Sequence, residues 1–310
     1  MRVLTKEDDK YKYNVWDKAE MPEAYKASAR EKIEKDCENA AQRHEITYEP
    51  WDAFYKKYSR SFFKERQWIS REHPETLVHS NTILELGCGT GSTLIPIIKE
   101  RISGKSDYLQ KMHGETISPE DPQSAEKSAE SAILMEEADA AKCRNIFGVD
   151  YSRTAVGLLQ ERVPKIKSQF SHGDITEMQS VVINGQEIRS ADIILLIYTL
   201  SAIHPSAHER IFGLIHRSLA EGGIVILKDY YEMDLTQLRF KEHQALEKNF
   251  YVRGDSTYVY YFTRERLEAL ASGMFRVVKY AEETKLVLNR KKQKEMYRCF
   301  VEVKLEKLQK

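Results

Sequence analysis

A run of alternating glycines, Gly-Cys-Gly-Thr-Gly at 87–91, is the part of this sequence best suited to bind a ligand through its backbone. The apolar residues Ile83–Leu86 before it predict a short buried strand, and residues 92–98 after it can begin a helix. Glycine suits such a turn because it adopts positive φ and lets a ligand approach the backbone closely. The helix start adds oriented N–H donors. This order predicts half of a nucleotide-binding unit, and a glycine-rich loop without a ligand is the alternative.

Polar and aromatic residues follow the later predicted strands, at the point where each strand ends. They are Asp150, Asp174, the pair Ile197-Tyr198 and the pair Lys228-Asp229. Ligands of open α/β sheets bind beyond the carboxyl ends of the strands, so we expect these residues to share one edge with the glycine loop. Asp150 could accept both hydroxyls of a ribose with its two oxygens. The alternative is that Asp150 is a helix N-cap or a surface residue.

Two further carboxylates extend this predicted nucleotide site. Asp174 could hold an adenine amino group while Ile175 packs on the ring. Glu85 could orient the glycine loop or the amino-acid end of a cofactor. Each of these residues could equally serve the structure alone. His204 and His208 stand one helical turn apart but lack a third ligand at a suitable spacing, so no metal site is expected.

Residues 48–74 interleave aromatic and basic side chains. Trp51, Phe54, Tyr55 and Tyr58 recur at the spacing of one helix face. The basic members are Lys56, Lys57, Arg60, Lys64, Arg66 and Arg71. One interpretation is a helix that packs its aromatic face on the domain and leaves its basic face in solvent. The other adds two functions, in which the aromatic face covers a cofactor and the basic face binds RNA, whose bases stack on rings.

The remaining pattern predicts a doubly wound α/β domain with additions. Further strands are expected at 145–149, 169–172, 191–197 and 224–227, helices at 154–163, 208–219 and 264–271, and a closing hairpin at 275–288 and 298–305. The run 191–197, apolar except for Asp192, is typical of the middle of a parallel sheet. We expect a partly ordered arm at 1–45 with a helix at 22–41, an insertion at 99–143 with a helix at 122–142, and no clear repeated element at 230–262.

Composition narrows the class of protein. Hydrophobic residues make up 41% of the 310 residues, which is enough for a buried core. The formal net charge is zero, so the chain as a whole has no electrostatic preference for a polyanion. The cysteines Cys37, Cys88, Cys143 and Cys299 form no C-x-x-C pair, which argues against a zinc ribbon or a disulfide framework. No apolar run approaches ~18 residues and the N-terminus lacks a signal peptide. We therefore expect a cytoplasmic and/or nuclear protein without a membrane span.

Several blocks of this sequence stand in the same order as in the tRNA N(3)-methylcytidine methyltransferase family, which the chain resembles from residue 48 to its C-terminus. The blocks are Trp51-Asp-Ala-Phe-Tyr-Lys, Phe62-Phe-Lys-Glu-Arg-Gln-Trp, Leu84-Glu-Leu-Gly-Cys-Gly-Thr-Gly, Leu200-Ser-Ala-Ile-His-Pro, Lys228-Asp-Tyr, Arg239-Phe, Asn249-Phe-Tyr-Val-Arg-Gly-Asp and Tyr261-Phe-Thr. The glycine block by itself resembles motif I of class I S-adenosylmethionine-dependent methyltransferases. The likeness breaks at 99–143 and does not extend to 1–45.

This resemblance implies a Rossmann-like class I methyltransferase fold, with a seven-stranded, mostly parallel sheet, helices on both faces and a helical N-terminal extension. It implies S-adenosyl-L-methionine as cofactor and methylation of N3 of the cytidine at anticodon-loop position 32 of tRNA. We expect an N-terminal segment at 1–80 and a methyltransferase domain at 81–310. Some relatives need a partner such as seryl-tRNA synthetase or a tRNA deaminase.

Site residues follow from motif position and from the shared sheet edge. The resemblance implies cofactor contacts by Trp51, Tyr55, Gly87, Asp150, Asp174 and Ile197. The sheet-edge argument adds Glu85, Cys88, Gly89, Gly91, Tyr151, Ser152, Ile175 and Tyr198. The expected tRNA phosphate contacts are Lys56, Lys57, Arg60, Lys64, Arg66, Arg239, Arg253 and Arg290, each of which could instead be merely solvated. Because 3-methylcytosine carries a positive charge, a carboxylate near the base would favour the transition state, and Asp229 is the catalytic candidate. A strand-end aspartate satisfied by backbone is the alternative for Asp229.

Two other functions fit parts of the pattern. One is a class I methyltransferase for a small molecule or a protein, which would not need the basic aromatic block at 48–74. The other is a non-catalytic cofactor-binding scaffold that presents tRNA to a partner enzyme. A nicotinamide dehydrogenase fits poorly, because its fingerprint G-x-G-x-x-G requires glycine where this chain has Ser92.

Overall fold

The computed structural model of the chain describes residues 2–5, 8–38, 49–58, 64–104, 133 and 135–309. The strands in these residues are β1 (Val15–Trp16), β2 (Ile83–Leu86), β3 (Ile146–Asp150), β4 (Phe170–His172), β5 (Val181–Ile183), β6 (Gln186–Ile188), β7 (Ala191–Ile197), β8 (Leu219–Tyr230), β9 (Ala245–Glu247), β10 (Phe250–Val252), β11 (Tyr258–Tyr260), β12 (Phe275–Asn289) and β13 (Lys294–Lys307). The α-helices are α1 (Glu23–Glu38), α2 (Glu49–Tyr58), α3 (Trp68–Glu72), α4 (Leu94–Ser103), α5 (Glu137–Lys142), α6 (Arg153–Arg162), α7 (His208–Ser218) and α8 (Arg264–Ala271).

The main sheet has eight strands in the order β1-β12-β13-β8-β7-β2-β3-β4. β2 pairs in parallel with β3 on one side and β7 on the other, so Glu85 is in register with Gly148 and with Leu195. β3 also pairs in parallel with β4. The chain order reverses at β2, and ligands of such sheets bind in the crevice beyond the strand ends at this point. The prediction of a class I α/β fold with a large, mostly parallel sheet is confirmed.

The eighth strand comes from the N-terminal arm. β1 pairs antiparallel with β12, with Val15 opposite Val287, and so adds an edge to the seven strands that were expected. Two residues are too few to show the alternation of a strand, which is why the sequence did not predict it. The arm also forms α1, which ends at Glu38, and the last residues of the helix predicted at 22–41 lie outside the described part of the chain.

Contacts divide the chain into two units, of which the first contains the glycine loop. This glycine-loop unit comprises the described residues within 48–195, 210–225 and 307–310. All four residues of β2 are buried, as expected for a strand in the interior of a parallel sheet. The apolar residues Leu94–Ile98 of α4 are buried as well. α2 packs against α6, and this contact carries the aromatic face of α2 onto the unit.

The second unit, here called the hairpin unit, contains the closing hairpin and the N-terminal arm. It comprises the described residues within 1–47, 196–209 and 226–306. One of its cores joins Trp16 of the arm to Leu286 of β12 and Tyr297 of β13. The long strands β12 and β13 confirm the closing hairpin predicted from the sequence, although β13 begins at Lys294 and not at residue 298.

Residues 230–262, for which no repeated element was predicted, contain a second sheet. Its antiparallel strands run in the order β11-β10-β9. Each strand has only three residues, so no alternation could reveal it in the sequence. The aromatic residues of this stretch form a small core, in which Tyr251 and Tyr261 pack with Ala245 and Val259.

The predicted insertion at 99–143 lies largely outside the described residues, since 105–132 and 134 are not described. The helix predicted at 122–142 is observed in its last residues, where α5 runs from Glu137 to Lys142. The division of the chain into segments at 1–80 and 81–310 stays a prediction. Within the described residues, no helix combines the length and the apolar character needed to cross a membrane.

Candidate active site

The glycine loop leaves β2 through three residues with positive φ. Gly87, Gly89 and Gly91 have φ of 77°, 52° and 86°. A Cβ atom added to Gly89 would lie 2.6 Å from Oη of Tyr55, and one added to Gly91 would lie 2.5 Å from Cδ1 of Leu159. Both positions therefore need glycine, because close neighbours exclude a side chain and because other residues rarely adopt this backbone conformation.

The loop is fixed to the end of β3. The backbone N–H groups of Gly87 and Cys88 both donate to the carbonyl oxygen of Val149, at 2.8 and 3.1 Å. Cys88 is buried, and a Cβ atom at Gly148 would lie 2.9 Å from its Cβ. The predicted contact residue Cys88 thus packs the loop against β3 through its side chain.

Asp150, the last residue of β3, lies beside the glycine loop. Its Oδ2 accepts a hydrogen bond from the backbone N–H of Gly89, and its Oδ1 accepts one from the N–H of Ser152, both at 2.8 Å. Each carboxylate oxygen has a further lone pair, so two hydroxyl donors can still be accepted. Burial raises the pKa of Asp150 to about 6, although the two N–H donors act in the opposite direction. The structure confirms that Asp150 and the loop are neighbours, as the shared sheet edge predicts.

The aromatic face of α2 covers this part of the unit. Tyr55 is buried, with its hydroxyl over Gly89, and it clusters with Phe54 and Ala155. The Trp51 ring lies 6.2 Å from the Tyr55 ring, and its buried Nε1 has no hydrogen-bond partner among the described residues. Burial raises the pKa of Tyr55 well above its usual value, so the hydroxyl keeps its proton as a donor.

Asp52, which sequence reasoning did not select, joins α2 to the start of α6. Its Oδ1 accepts hydrogen bonds from Oγ of Ser152 at 2.7 Å and from the backbone N–H of Thr154 at 3.0 Å. Its Oδ2 lies 2.9 Å from Nζ of Lys56. Asp52 and Tyr55 are three residues apart on one helix, which is the signal that could have placed both side chains on the same face.

Glu85 is buried directly before the loop. It is 1% exposed, and its Oε2 has no hydrogen-bond partner in the described part of the chain. Burial raises its pKa to about 8, and the positive charge of Arg66 opposes this shift. Arg66 itself donates from Nη1 to Oγ1 of Thr93 at 2.9 Å and to Oγ of Ser92 at 3.2 Å. Arg66, expected at tRNA phosphates, therefore lies at the glycine loop and the start of α4.

Residues of α2, the residues after β3 and the last residue of β4 border an open cleft. It has a volume of about 410 Å³ and is lined by Asp52, Ala53, Lys56, Tyr151, Arg153 and His172. Beyond β4, Oδ1 of Asp174 accepts hydrogen bonds from the backbone N–H and the hydroxyl of Thr176, at 2.9 and 2.7 Å. Ile175 is buried beside it. These placements agree with an adenine site at this edge, whose contacts stay a prediction.

In the hairpin unit, Tyr198 follows the buried Ile197 with a strained backbone. Its φ of 57° is unusual for a bulky residue and costs free energy unless the surroundings enforce it. The Tyr198 ring lies 5.4 Å from the ring of Tyr230 and 5.9 Å from that of Phe300. The guanidinium of Arg253 lies 5.8 Å from the Tyr230 ring. An aromatic surface with a nearby cation is a feature that can stack a nucleobase.

Asp229 is fully buried at the end of β8. Its Oδ2 accepts the backbone N–H of Ser201 at 2.9 Å, and its Oδ1 accepts that of Tyr230 at 2.8 Å. Burial raises its pKa to about 6, and the hydrogen bonds from Ser201 oppose this. The carboxylate thus holds the segment after β7 in place, which corresponds to the backbone-satisfied alternative considered for this residue.

The other predicted RNA contacts differ in their surroundings. Lys57 and Lys64 are exposed, whereas Arg60 lies outside the described residues. Arg253 donates to the carbonyl oxygen of Tyr258 at 2.8 Å, and Arg290 to that of Lys12 at 2.6 Å. Arg239 is exposed and reaches the sulfur of Met296 at 3.4 Å. The role of these cations at phosphates stays a prediction.

His208 is a structural residue of the hairpin unit. Its Nε2 lies 3.0 Å from the carbonyl oxygen of Leu200 and 3.2 Å from that of Ile203, so this nitrogen carries the donated proton. Burial lowers its pKa to about 4, which keeps the ring neutral at physiological pH. His204 lies beside Glu247, with 3.6 Å between Nε2 of the histidine and Oε1 of the glutamate.

Comparison with known proteins agrees with this geometry. A family model described as a methyltransferase domain matches residues 55–274. A Schizosaccharomyces pombe protein named tRNA N(3)-methylcytidine methyltransferase trm140 is 32% identical over 319 residues, which cover 99% of this chain and 91% of the relative. A Saccharomyces cerevisiae protein named tRNA(Thr) (cytosine(32)-N(3))-methyltransferase is 31% identical over 97% of this chain, which spans 44% of that relative.

A solved structure extends the comparison to the fold. A SAM-dependent methyltransferase from Anabaena variabilis aligns with a TM-score of 0.51 and 9% identity, over 87% of this chain and 98% of that one. The family model shows that residues 55–274 form a methyltransferase domain, and the solved structure supports its fold. The family model covers most of the chain and the S. pombe relative nearly all of it, so the chain belongs to the tRNA N(3)-methylcytidine methyltransferase family.

Proposed function

We propose that this protein transfers a methyl group from S-adenosylmethionine to N3 of the cytidine at anticodon-loop position 32 of tRNA. Membership of the family carries the proposal, and position 32 comes from the printed name of the S. cerevisiae relative. The same relatives lend no support to a small-molecule or protein substrate, or to a non-catalytic scaffold.

The residues of the glycine-loop unit fit this cofactor. Asp150 keeps one lone pair on each oxygen for the two ribose hydroxyls. Two buried atoms, Oε2 of Glu85 and Nε1 of Trp51, await a partner that the described protein residues do not supply. Buried polar atoms of this kind are nearly always satisfied in native proteins, so a polar ligand accounts for them. We assign the ribose to Asp150, the adenine edge to Asp174 and Ile175, and the cover over the loop to Tyr55.

The chemical task of the chain is to position its substrate. S-adenosylmethionine, when bound, supplies an electrophilic methyl group on sulfur. N3 of cytosine has a free lone pair at neutral pH, so no residue is needed as a general base. The protein must instead hold the base unstacked and its N3 in line with the methyl group. We propose that the rings of Tyr198 and Tyr230 support the flipped base, since aromatic side chains stack on unpaired bases.

Asp229 enters this proposal as a positioning residue. Because its oxygens accept backbone N–H groups of Ser201 and Tyr230, it fixes the segment that carries Tyr198. It is fully buried, so it acts on the substrate through that segment and through its charge, not by direct contact. A negative charge in a water-poor site favours the positive charge that develops on the methylated cytosine.

Exposed basic residues are proposed to bind the tRNA backbone. Lys57 and Lys64 are exposed members of the basic set in the glycine-loop unit, and Lys56, which is also exposed, forms an ion pair with Asp52. Arg239 and Arg290 are exposed in the hairpin unit, and Arg253 is half-buried beside Tyr230. Contacts of this kind release counterions from the nucleic acid, so the affinity would fall as salt rises.

The decisive experiment is to incubate the protein with labelled S-adenosylmethionine and total tRNA, and to map the modified nucleoside. The expected product is 3-methylcytidine at position 32, and it should be absent with the variant Asp150→Ala. Label at another nucleoside or another position would contradict the proposal. Label transferred to protein or to small molecules, with none in tRNA, would favour the rival methyltransferase.

A second arm of the same experiment concerns partners. Addition of cell extract, or of purified seryl-tRNA synthetase or a tRNA deaminase, tests for a partner that raises turnover. Activity that appears only in such mixtures identifies the partner requirement known for some members of the family. We propose a cytoplasmic and/or nuclear location, where tRNA is modified, and fluorescence of a tagged full-length chain tests it.

A further inference from the structure

The outer edge of β12 is open over its first nine residues. β12 lies between β1 and β13 in the main sheet, but β1 pairs only with Leu286 and Val287. The next hydrogen bond from the arm is donated by the N–H of Ala19 to the carbonyl oxygen of Thr284. Within the described part of the chain, residues 275–283 therefore have a neighbouring strand on one side only. We call them the open edge.

The open edge carries apolar side chains that face solvent on both sides of the strand. Successive residues of a strand point to opposite faces, and Val277 and Val278 are 42% and 49% exposed. Arg276 and Lys279 on either side of them are exposed as well. Unpaired backbone groups with apolar side chains are a template for another strand, and proteins usually block such edges with charges. The arrangement of the charges therefore decides which strand can pair here.

The charges of the open edge are complementary to themselves in one antiparallel register. In this register Lys279 lies opposite Lys279 of a second copy, at a two-fold axis. Arg276 then lies opposite Glu282 of the second copy, and Val278 lies opposite Tyr280, and symmetry repeats each pair. These four residues alternate along the strand and so share one face. Opposite charges, and a β-branched residue opposite an aromatic one, are favourable pairs across antiparallel strands.

The two copies of Lys279 that would meet at the axis are each neutralised within their own chain. Lys279 forms an ion pair with Glu302, whose side chain is fully buried. Glu302 also lies 3.1 Å from Nζ of Lys228, and Lys228 lies 2.6 Å from Glu283. The cluster thus holds two lysines and two glutamates, and its net charge is zero. Because two neutral clusters repel each other only weakly, Lys279 does not prevent the pairing.

The charged residues at the two ends of this register can accept a second partner. Arg276 forms an ion pair with Glu306 of its own chain. Glu282 accepts a hydrogen bond from the Tyr231 hydroxyl at 3.1 Å and lies 3.4 Å from the guanidinium of Arg264. The Arg276 and Glu282 side chains are 66% and 42% exposed, so water screens these pairs and each of them contributes little. Their rearrangement on association therefore costs little.

We propose that the open edge pairs with the open edge of a second copy of this chain, antiparallel and with Lys279 at the two-fold axis. A second copy is the occupant because the order of charges from Arg276 to Glu282 is complementary to itself. One pair of strands is a small interface, so the dimer is expected to form reversibly and at high protein concentration. The inference concerns association alone and is independent of the methylation proposed above.

Sedimentation equilibrium of the full chain, from micromolar to near-millimolar concentration, tests the pairing. The unchanged protein should show a monomer–dimer equilibrium. Arg276→Glu should weaken the dimer by about 5- to 100-fold, because it turns two attractive pairs into two repulsive ones, and Glu282→Arg should do the same. The variant that carries both substitutions should recover the affinity to within about threefold, because the two pairs are restored with their charges exchanged. An equimolar mixture of the two single variants should form a heterodimer more tightly than either variant forms a homodimer.

Lys291→Glu is the matched control, because it reverses an exposed charge in the turn between β12 and β13, outside the open edge. It should leave the association unchanged, and thermal melts followed by circular dichroism should show that every variant folds. A chain that stays monomeric at all concentrations overturns the proposal and leaves the open edge to another partner. A dimer that neither Arg276→Glu nor Glu282→Arg weakens forms elsewhere and also overturns it. If both single variants weaken the dimer, but the double variant and the mixture do not recover it, the proposed register is wrong.

Discussion

Replacing Asp52 by alanine should detach α2 from the start of α6 and loosen the aromatic cover of the glycine loop. Asp52 accepts hydrogen bonds from Oγ of Ser152 and from the backbone N–H of Thr154. Ser152 in turn donates its backbone N–H to Asp150. The substitution should therefore affect Asp150, the proposed ribose acceptor, and Tyr55, which shares α2 with Asp52.

The expected size of the effect follows from these contacts. Loss of a side chain that caps a helix N-terminus costs about 0.5 to 2 kcal/mol, and a second hydrogen bond contributes about 0.5 to 1.5 kcal/mol. The ion pair with Lys56 adds little, because the two side chains are 27% and 69% exposed and water screens the charges. The free energy of unfolding should fall by about 1 to 3 kcal/mol, or roughly 2 to 10 °C in Tm.

Thermal and urea unfolding of three variants test this reasoning. Asp52→Ala should lose the full amount, Asp52→Asn should lose less because its amide oxygen still accepts, and Lys56→Ala should lose less than about 0.5 kcal/mol. Asp52→Ala should also weaken the binding of S-adenosylhomocysteine, the product form of the cofactor. Equal losses for Asp52→Ala and Lys56→Ala would show that the contacts to α6 contribute nothing.

The stability that Asp52 contributes should depend on pH, because only its carboxylate form makes these contacts in full. Lys56 and the N–H donor of Thr154 hold the pKa of Asp52 well below its ordinary value of 3.8. A lowered pKa in the folded state means that the carboxylate stabilises the fold above pH 4, and that this contribution is lost as the pH falls further. The difference in stability between the unchanged protein and Asp52→Ala should be constant from pH 5 to 8 and shrink below pH 4.

Three other outcomes are expected. Gly91→Ala should lower the free energy of unfolding by about 1 to 3 kcal/mol, because its Cβ would lie 2.5 Å from Leu159 at a φ of 86°, and an unchanged Tm would refute this. Asp229→Asn should lower the methylation rate in single-turnover assays and leave cofactor affinity nearly intact, and unchanged turnover would remove Asp229 from the mechanism. The affinity for tRNA should fall as salt rises, with a shallower slope for Lys57→Gln, and binding indifferent to salt would reject the basic surface.

The sequence predicts those parts of the fold whose signals are local. β2, β3 and β7 are mainly apolar runs. The change of residue type at Gly87, Asp150 and Tyr198 marks where each run stops, so both the strands and the sheet edge could be recognised. β9, β10 and β11 have three residues each and offer no such run. β1 could not be predicted for the same reason. It forms because Val15 pairs with Val287, which is far along the chain.

The candidate site shows the same limit at the level of side chains. Asp150 and the glycines could be predicted because residue type, spacing and strand end coincide. Arg66 and Asp52 could not, because their partners lie 27 and 100 residues away, at Thr93 and Ser152. Because Arg66 stands among aromatic residues in the sequence, it was predicted to bind RNA. Only the hydrogen bonds of its guanidinium show that it lies at the glycine loop.

Ser152 connects α2 to the proposed cofactor site. Its N–H binds Asp150, its hydroxyl donates to Asp52, and the same hydroxyl accepts the N–H of Ala155 within α6. A displacement of α2 would therefore remove a partner from Ser152, which donates to Asp150, the proposed ribose acceptor. Conversely, we predict that a ribose bound by Asp150 would also fix Ser152 and would stabilise the contact between Ser152 and Asp52 of α2. We therefore predict that binding of the adenosine end and the position of α2 are coupled through the Ser152 hydroxyl.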